Sequence, residues 1–107
     1  MAISIENALH RGVAAHKAGK LKEAERHYRA ILKSQPLHPD ANHNLGLIAV
    51  AFNKADEAIP LFKNAIEANS KIEQYWISYI NALVKLKKLN AAKQAIKTAK
   101  KNGVNAK

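Results

Sequence analysis

The chain reads as an all-α array of three antiparallel helix pairs, and three observations carry that reading. Ala24, Ala58 and Ala92 fall 34 residues apart, and each is followed four residues later by a large apolar side chain, Tyr28, Phe62 and Ile96. Other positions keep the same interval: Gly12 with Gly46, Asn42 with Trp76, Ala15 with Ala49 and Leu83, and Ile31 with Ala65 and Ala99. Within each unit the apolar residues recur at three and four, which is the helical period and not the strand period. Gly19 and Asn53 stand at equivalent places between two such runs, where a residue that tolerates positive φ turns one helix into the next.

Taken in order, the first pair sets Gly12 and Ala15 on one helix and Ala24, Tyr28 and Ile31 on its partner, with the turn at Gly19 and Pro36 closing the unit. Pro39 suits the first turn of the next helix, followed by Asp40 where the helix dipole favours an acid. That helix carries Leu45-Gly46 and turns at Asn53. Asp56 and Glu57 open its partner and compensate the dipole, Ala58, Phe62 and Ala65 face inward, and Pro60 falls in or just past the first turn, where a small bend is tolerable. Ser70-x2-Glu73 predicts a capping box for the helix of Trp76 and Leu83, and Asn90 predicts a cap for the last helix, which holds Ala92, Ile96 and Ala99.

A 34-residue helix-turn-helix unit with this Ala and aromatic spacing resembles the tetratricopeptide repeat. The middle unit carries the likeness best, with Leu45-Gly46, Ala58-x3-Phe62 and Ala65. The first has Ala8 where the family often has Trp, and the third has Trp76 but Tyr79-Ile80 in place of Leu-Gly and Val104 in place of the closing Pro. The resemblance implies a right-handed α-solenoid, a single domain over residues 1–107 with repeats at about 5–38, 39–72 and 73–106. It also implies a concave groove lined by the first helix of each repeat, which takes up a peptide or partner helix. Carried over position by position, that groove presents Leu9, His10, Val13 and Lys17, then His43, Asn44, Leu47 and Val50, then Gln74, Ile77, Ser78, Asn81 and Lys85. Leu9, Val13, Leu47, Ile77 and Val84 form an apolar strip edged by amides, imidazoles and two lysines.

Of the five Lys, Arg and Asn residues with which one subtype of the family grips the carboxylate of chaperone tails, only Asn44 is matched; Leu9, Val13, Gln74 and Ser78 stand at the other places. Asn44 is also similar to the asparagines with which the repeat arrays of O-linked sugar transferases bond a peptide backbone, an amide being both donor and acceptor. The stretch from Tyr28 through His38-Pro39-Asp40-Ala41 to Leu45-Gly46 resembles repeats that precede bacterial glycosyltransferase, sulfotransferase and methyltransferase domains. A protein or peptide partner is therefore the first expectation, with an accessory module of a larger bacterial transferase, or a homo-oligomerising scaffold, as alternatives.

Composition bounds these readings. The 107 residues, 48% of them hydrophobic, suit one domain with a continuous helical seam and leave little bulk for a deep enzyme cleft. Cysteine is absent, which excludes disulfides, thiolate catalysis and Cys-type zinc sites. Glu6 interrupts the start before an apolar stretch forms, so no secretory signal is read there, and Leu45 to Phe52 is too short to span a bilayer. A cytoplasmic protein is the expectation.

Charge is uneven. Residues 1–73 hold 10 Lys and Arg against 8 Asp and Glu, whereas residues 74–107 hold 8 Lys and no acid. Lys93, Lys97, Lys100 and Lys101 share one face of the final helix, and Lys93 and Lys100 replace Ile59 and Ile66 of the middle repeat. A solvated cap on the last unit of a solenoid is the favoured reading, ahead of an anion site. A nucleic-acid binder has the charge but little aromatic platform, since Trp76 and Tyr79 read as core.

No constellation for catalysis is legible. His38-Pro39-Asp40 is similar to the tripeptide in the loop of the J-domain of Hsp70 co-chaperones, but the repeat register explains it better, with Pro39 and Asp40 opening a helix. His10, His16, His27, His38 and His43 show no i, i+4 pair or His-x-Glu pattern of a helical metal site, and surface positions are expected for them, although His10 and His43 lie on corresponding faces of adjacent first helices. No Gly-rich phosphate loop and no assembly of nucleophile, base and orienting partner is present. The expectation is a chain that is not an enzyme and has no cofactor or metal.

Overall fold

The computed structural model describes residues 4–105. They form six helices: α1 (Ile5–Lys17), α2 (Leu21–Ser34), α3 (Pro39–Ala51), α4 (Ala55–Ala68), α5 (Glu73–Lys85) and α6 (Leu89–Lys101). First helices begin at 5, 39 and 73 and second helices at 21, 55 and 89, so both series advance by the 34-residue interval of the apolar pattern. Each helix packs on the next in sequence, and α3 also touches α5. Such nearest-neighbour stacking makes an α-solenoid, here 45 × 26 × 20 Å.

The turns inside the pairs share one geometry. Gly19, Asn53 and Lys87 adopt φ of 78°, 61° and 61°. The N–H of the following residue returns to the carbonyl five back: Lys20 to Ala15 at 2.9 Å, Lys54 to Ala49 at 2.8 Å and Lys88 to Leu83 at 2.8 Å. This Schellman closure satisfies carbonyls that the helix end leaves free. The sequence reading anticipated Gly19 and Asn53; Lys87, with no local tolerance of positive φ, is held there by the repeat geometry. The same closure ends α6, with Gly103 at φ 81° and Val104 N–H donating to the Ala99 carbonyl at 2.9 Å, and it folds Val104 into the core of the last pair.

Two expected caps are corrected. Helix α5 starts from Ile72 with no side-chain cap, so Ser70 and Glu73 form no capping box; the Ser70 carbonyl instead accepts from Trp76 Nε1 at 2.8 Å. Asn90 lies inside α6, whose N-cap is Lys88. The side-chain caps are at Ser4 and at His38, whose Nδ1 accepts from the Ala41 N–H at 3.1 Å directly before Pro39. Pro39 and Asp40 open α3, and Pro60 sits in α4 just past its first turn, both as read from the sequence.

Inside each pair the repeat pattern becomes packing. Ala24, Ala58, Tyr28 and Phe62 are fully buried. Glycine at 12 and 46 lets these rings lie on the backbone of the facing helix: a Cβ at Gly12 would stand 2.6 Å from Tyr28 Cε1, and one at Gly46 would run into Phe62 Cε1. Between pairs, Asn42 and Trp76 perform one task with different side chains. Each donates an N–H to the carbonyl six residues earlier in the connecting loop, Asn42 Nδ2 to Pro36 at 3.0 Å and Trp76 Nε1 to Ser70 at 2.8 Å. Trp76 is 4% exposed, in agreement with its reading as core.

Candidate functional site

The first-helix faces present the expected strip in graded form. On α1, Leu9 and Val13 are half-buried while His10 and Lys17 are exposed, and together with Ala14 they line a shallow hollow of about 440 Å³. On α3, Asn44, Leu47 and Val50 are half-buried. On α5, Ile77 is half-buried and Asn81 and Lys85 are exposed, as are Gln74 and, at 48%, Val84. Leu9, Leu47, Val50 and Ile77 each spend part of their surface on the interior, packing against the core clusters of their own repeats. Val84 is the strip residue with the most area left for a partner.

His43 and Ser78 are corrected. Both were assigned to the open face; both are buried, at 6% and 7% exposure, and His43 Nε2 shares a 2.8 Å hydrogen bond with Ser78 Oγ. The imidazole lies between the rings of Tyr75 and Phe62, at centroid distances of 4.9 and 5.6 Å. Burial therefore pushes its pKa below the ordinary histidine value, with the Asn44 amide and the Asp40 carboxylate pulling weakly the other way. Beside it, Tyr75 donates its hydroxyl proton to Asp40 Oδ1 at 2.6 Å, and burial, with that carboxylate adding to it, drives the phenol pKa upward.

Serine, histidine and aspartate thus converge at the α3–α5 contact, although the sequence suggested no such assembly. Their geometry is that of a staple: Asp40 faces the Tyr75 hydroxyl, not the far ring nitrogen of His43, and Ser78 Oγ is enclosed. The position-by-position equivalents at the previous junction are Glu6 and Ala41 for Asp40 and Tyr75, and Leu9 and Asn44 for His43 and Ser78. Neither bond can form there. Among the described residues no group of three or more His, Cys, Asp or Glu side chains is placed to hold a metal ion, and no helix is long and apolar enough to cross a membrane.

On the other side of the array two notches lie between successive second helices, one between α2 and α4 and one between α4 and α6. The sequence reading missed them. Their signal was available in the interval itself, since the Arg29, Leu45, Glu57 and Pro60 of one become the Lys63, Tyr79, Ala91 and Gln94 of the other.

Stacked helix pairs, a half-buried apolar strip on the first helices and notches between the second helices define the class: a helical-repeat solenoid. A model of the tetratricopeptide repeat matches residues 9–71 and 43–103, and the chain belongs to that family. Similar solved structures include MamA (MSR-1), at 28% identity and a TM-score of 0.78 over 91% of this chain and 56% of that one. The second TPR domain of Spaghetti (RPAP3), bound to an HSP90 peptide, is 23% identical with a TM-score of 0.81, over 89% of this chain and 88% of that one. The TPR2B domain of yeast Sti1, in complex with pHsp70, is 20% identical with a TM-score of 0.81, over 89% and 76%. At their level of identity the last two likenesses speak to the fold. The chain spans just over half the length of the MamA chain. No curated protein sequence matches it.

Proposed function

We propose that this chain is a non-catalytic protein-interaction module, a single domain of units at about 5–38, 39–72 and 73–106 that takes up a peptide or partner helix along its first helices. The observation that carries the proposal is the partly covered apolar strip of Leu9, Val13, Leu47, Ile77 and Val84, edged by Asn44, Asn81, Lys17 and Lys85. Apolar area supplies the driving force, and an extended or helical partner offers its backbone to the amides. The peptide-bound state of the RPAP3 domain and the pHsp70 complex of the Sti1 domain support the mode of binding, not the identity of the partner. A cytoplasmic location belongs to the same reading.

The test uses Val84→Glu and Asn81→Ala, both at exposed positions. Their unfolding free energies should stay within about 0.5 kcal/mol of the parent, as those of surface variants do, which thermal melts check. Affinity capture from the source cell, followed by mass spectrometry, should lose in the Val84→Glu protein a partner that the parent retains, and hold it more weakly in the Asn81→Ala protein. Retention of every partner by both variants, with loss on altering the second-helix side, would remove the first-helix reading.

A further inference from the structure

The two notches between second helices occupy one architectural place a repeat apart and have similar volumes, about 480 Å³ and 450 Å³, but the first is mixed in character and the second mainly apolar. The notch between α2 and α4 is lined by Leu45, Ile48 and Phe52 together with charges of both signs, Glu25, Arg29 and Glu57 among them, and Glu25 and Arg29 are ion-paired at 2.9 Å. The notch between α4 and α6 has an apolar floor of Ile66, Trp76, Tyr79, Ala91 and Ala95, and exposed Ala91 stands where its counterpart has Glu57. Its rim is basic. Lys63 lines it from α4. Lys97 and Lys101, three residues on from the lining residues Gln94 and Thr98, run along the same edge of α6, and both are exposed. Glu67, one turn from Lys63, is the acid among the lining residues, and no acid follows Glu73 in the sequence.

We propose that the notch between α4 and α6 is a second docking surface, on the opposite helices from the first-helix strip, for an acidic amphipathic segment of a partner protein. An apolar side chain of that segment seats on Ile66, Tyr79 and Ala95 while its carboxylates face Lys63, Lys97 and Lys101. Charge complementarity selects this occupant. A second copy of the chain is a poor fit, because residues 5–38 hold seven Lys and Arg against three acids and residues 73–106 hold seven against one, so the two ends repel. A nucleic acid would use the lysines and leave the apolar floor without a role, whereas an acidic segment with a Leu or Phe uses both.

The chain's one tryptophan lies in the floor, so its emission reports occupancy directly. The probe is a synthetic helical peptide of Glu and Ala carrying Leu at i, i+3 and i+4 spacing and no aromatic residue. With the intact protein it should shift Trp76 emission saturably in the micromolar range and bind less tightly as salt rises. Ala91→Glu imports the residue that the equivalent helix already carries at Glu57, so the fold accepts it, and binding should weaken roughly tenfold or more from a like charge on the apolar seat. Replacing Lys97 and Lys101 with Gln should weaken it severalfold, and Val84→Glu should leave it unchanged, which keeps this surface distinguishable from the first-helix strip. Unchanged affinity in the Ala91→Glu protein would overturn the proposal. So would equal binding of a peptide with Ala in place of Leu, or duplex DNA displacing the probe with the lysines alone deciding affinity, which would assign the rim to polyanions. Sedimentation showing self-association that Ala91→Glu abolishes would give the notch to a second copy instead.

Discussion

The middle and last helix pairs share a period and a fold yet solve one packing problem in opposite ways. In the middle pair Gly46 gives up its side chain so that the buried Phe62 ring can lie on the α3 backbone. In the last pair the same two places hold Ile80, buried, and Ile96, half-buried, so a gained side chain on one helix is met by a smaller one on the other. What the pairs have in common is a filled contact, in which the side chain on one helix matches the space left by the other, and not the residue at either position. Their outer faces differ as well. Ile59 and Ile66 of α4 pack on the core of the last pair, whereas Lys93 and Lys100 of α6 are exposed. A face that meets another helix is apolar, and its counterpart on α6 is charged.

The comparison breaks most visibly at the aromatic ring. Phe62→Ala should cost about 3–5 kcal/mol, because it empties a fully buried site, while Ile96→Ala should cost less, from a half-buried one. Urea unfolding of both variants checks this, and equal losses would mean that the two pairs contribute alike. Next in size is Gly46→Ala. Its Cβ meets Phe62 too closely, so it should cost about 1–3 kcal/mol alone, and much less in a Phe62→Leu background. A double-mutant cycle with no coupling would remove the volume argument.

A smaller effect sharpens the comparison at the turns. Asn53 and Lys87 share a φ of 61°, but only Asn accepts that region readily, so Lys87→Gly should stabilise by up to about 1 kcal/mol and Asn53→Gly by less. Calorimetric midpoints decide between them. The last effect is a slope, and it belongs to the junction of the two pairs. His43 has a folded pKa below its ordinary value of 6.5, so the unfolded chain binds the proton more readily. Stability should therefore fall as pH drops below about 6.5 and level off once the lower folded value is passed. In His43→Gln that descent should be reduced, as denaturant midpoints across this range would show.

Much of the fold was legible because period is a one-dimensional property. Spacing of Ala, Gly and aromatic residues gives the helix pairs, and Gly19 and Asn53 give two of the three turns within pairs. Lys87 was silent because tertiary context imposes its conformation against its own preference. The caps at Ser70 and Asn90 failed for a related reason: a short polar side chain near a helix start signals a cap, but the register places α5 and α6 relative to those residues so that neither is the boundary. At the candidate site the sequence could name a face without saying how deeply each side chain sinks into it. His43 looked like a surface imidazole until Tyr75 and Ser78, more than thirty residues away, closed over it. The notches required knowing that second helices of successive repeats lie side by side, which no single helix pattern reveals.

The bonds from Asp40 to Tyr75 and from His43 to Ser78 give the array an uneven mechanical character. The junction between the middle and last pairs is sewn by two side-chain bonds across its first helices, and its counterpart one repeat earlier, with Ala41 and Leu9 at the matching places, has no group to make either. Under a bending load or thermal agitation the curvature should vary mainly at the hinge between the first two pairs, while the remaining two turn as one stiff block. A guest lying across all three first helices would then be gripped by a rigid jaw and a compliant one.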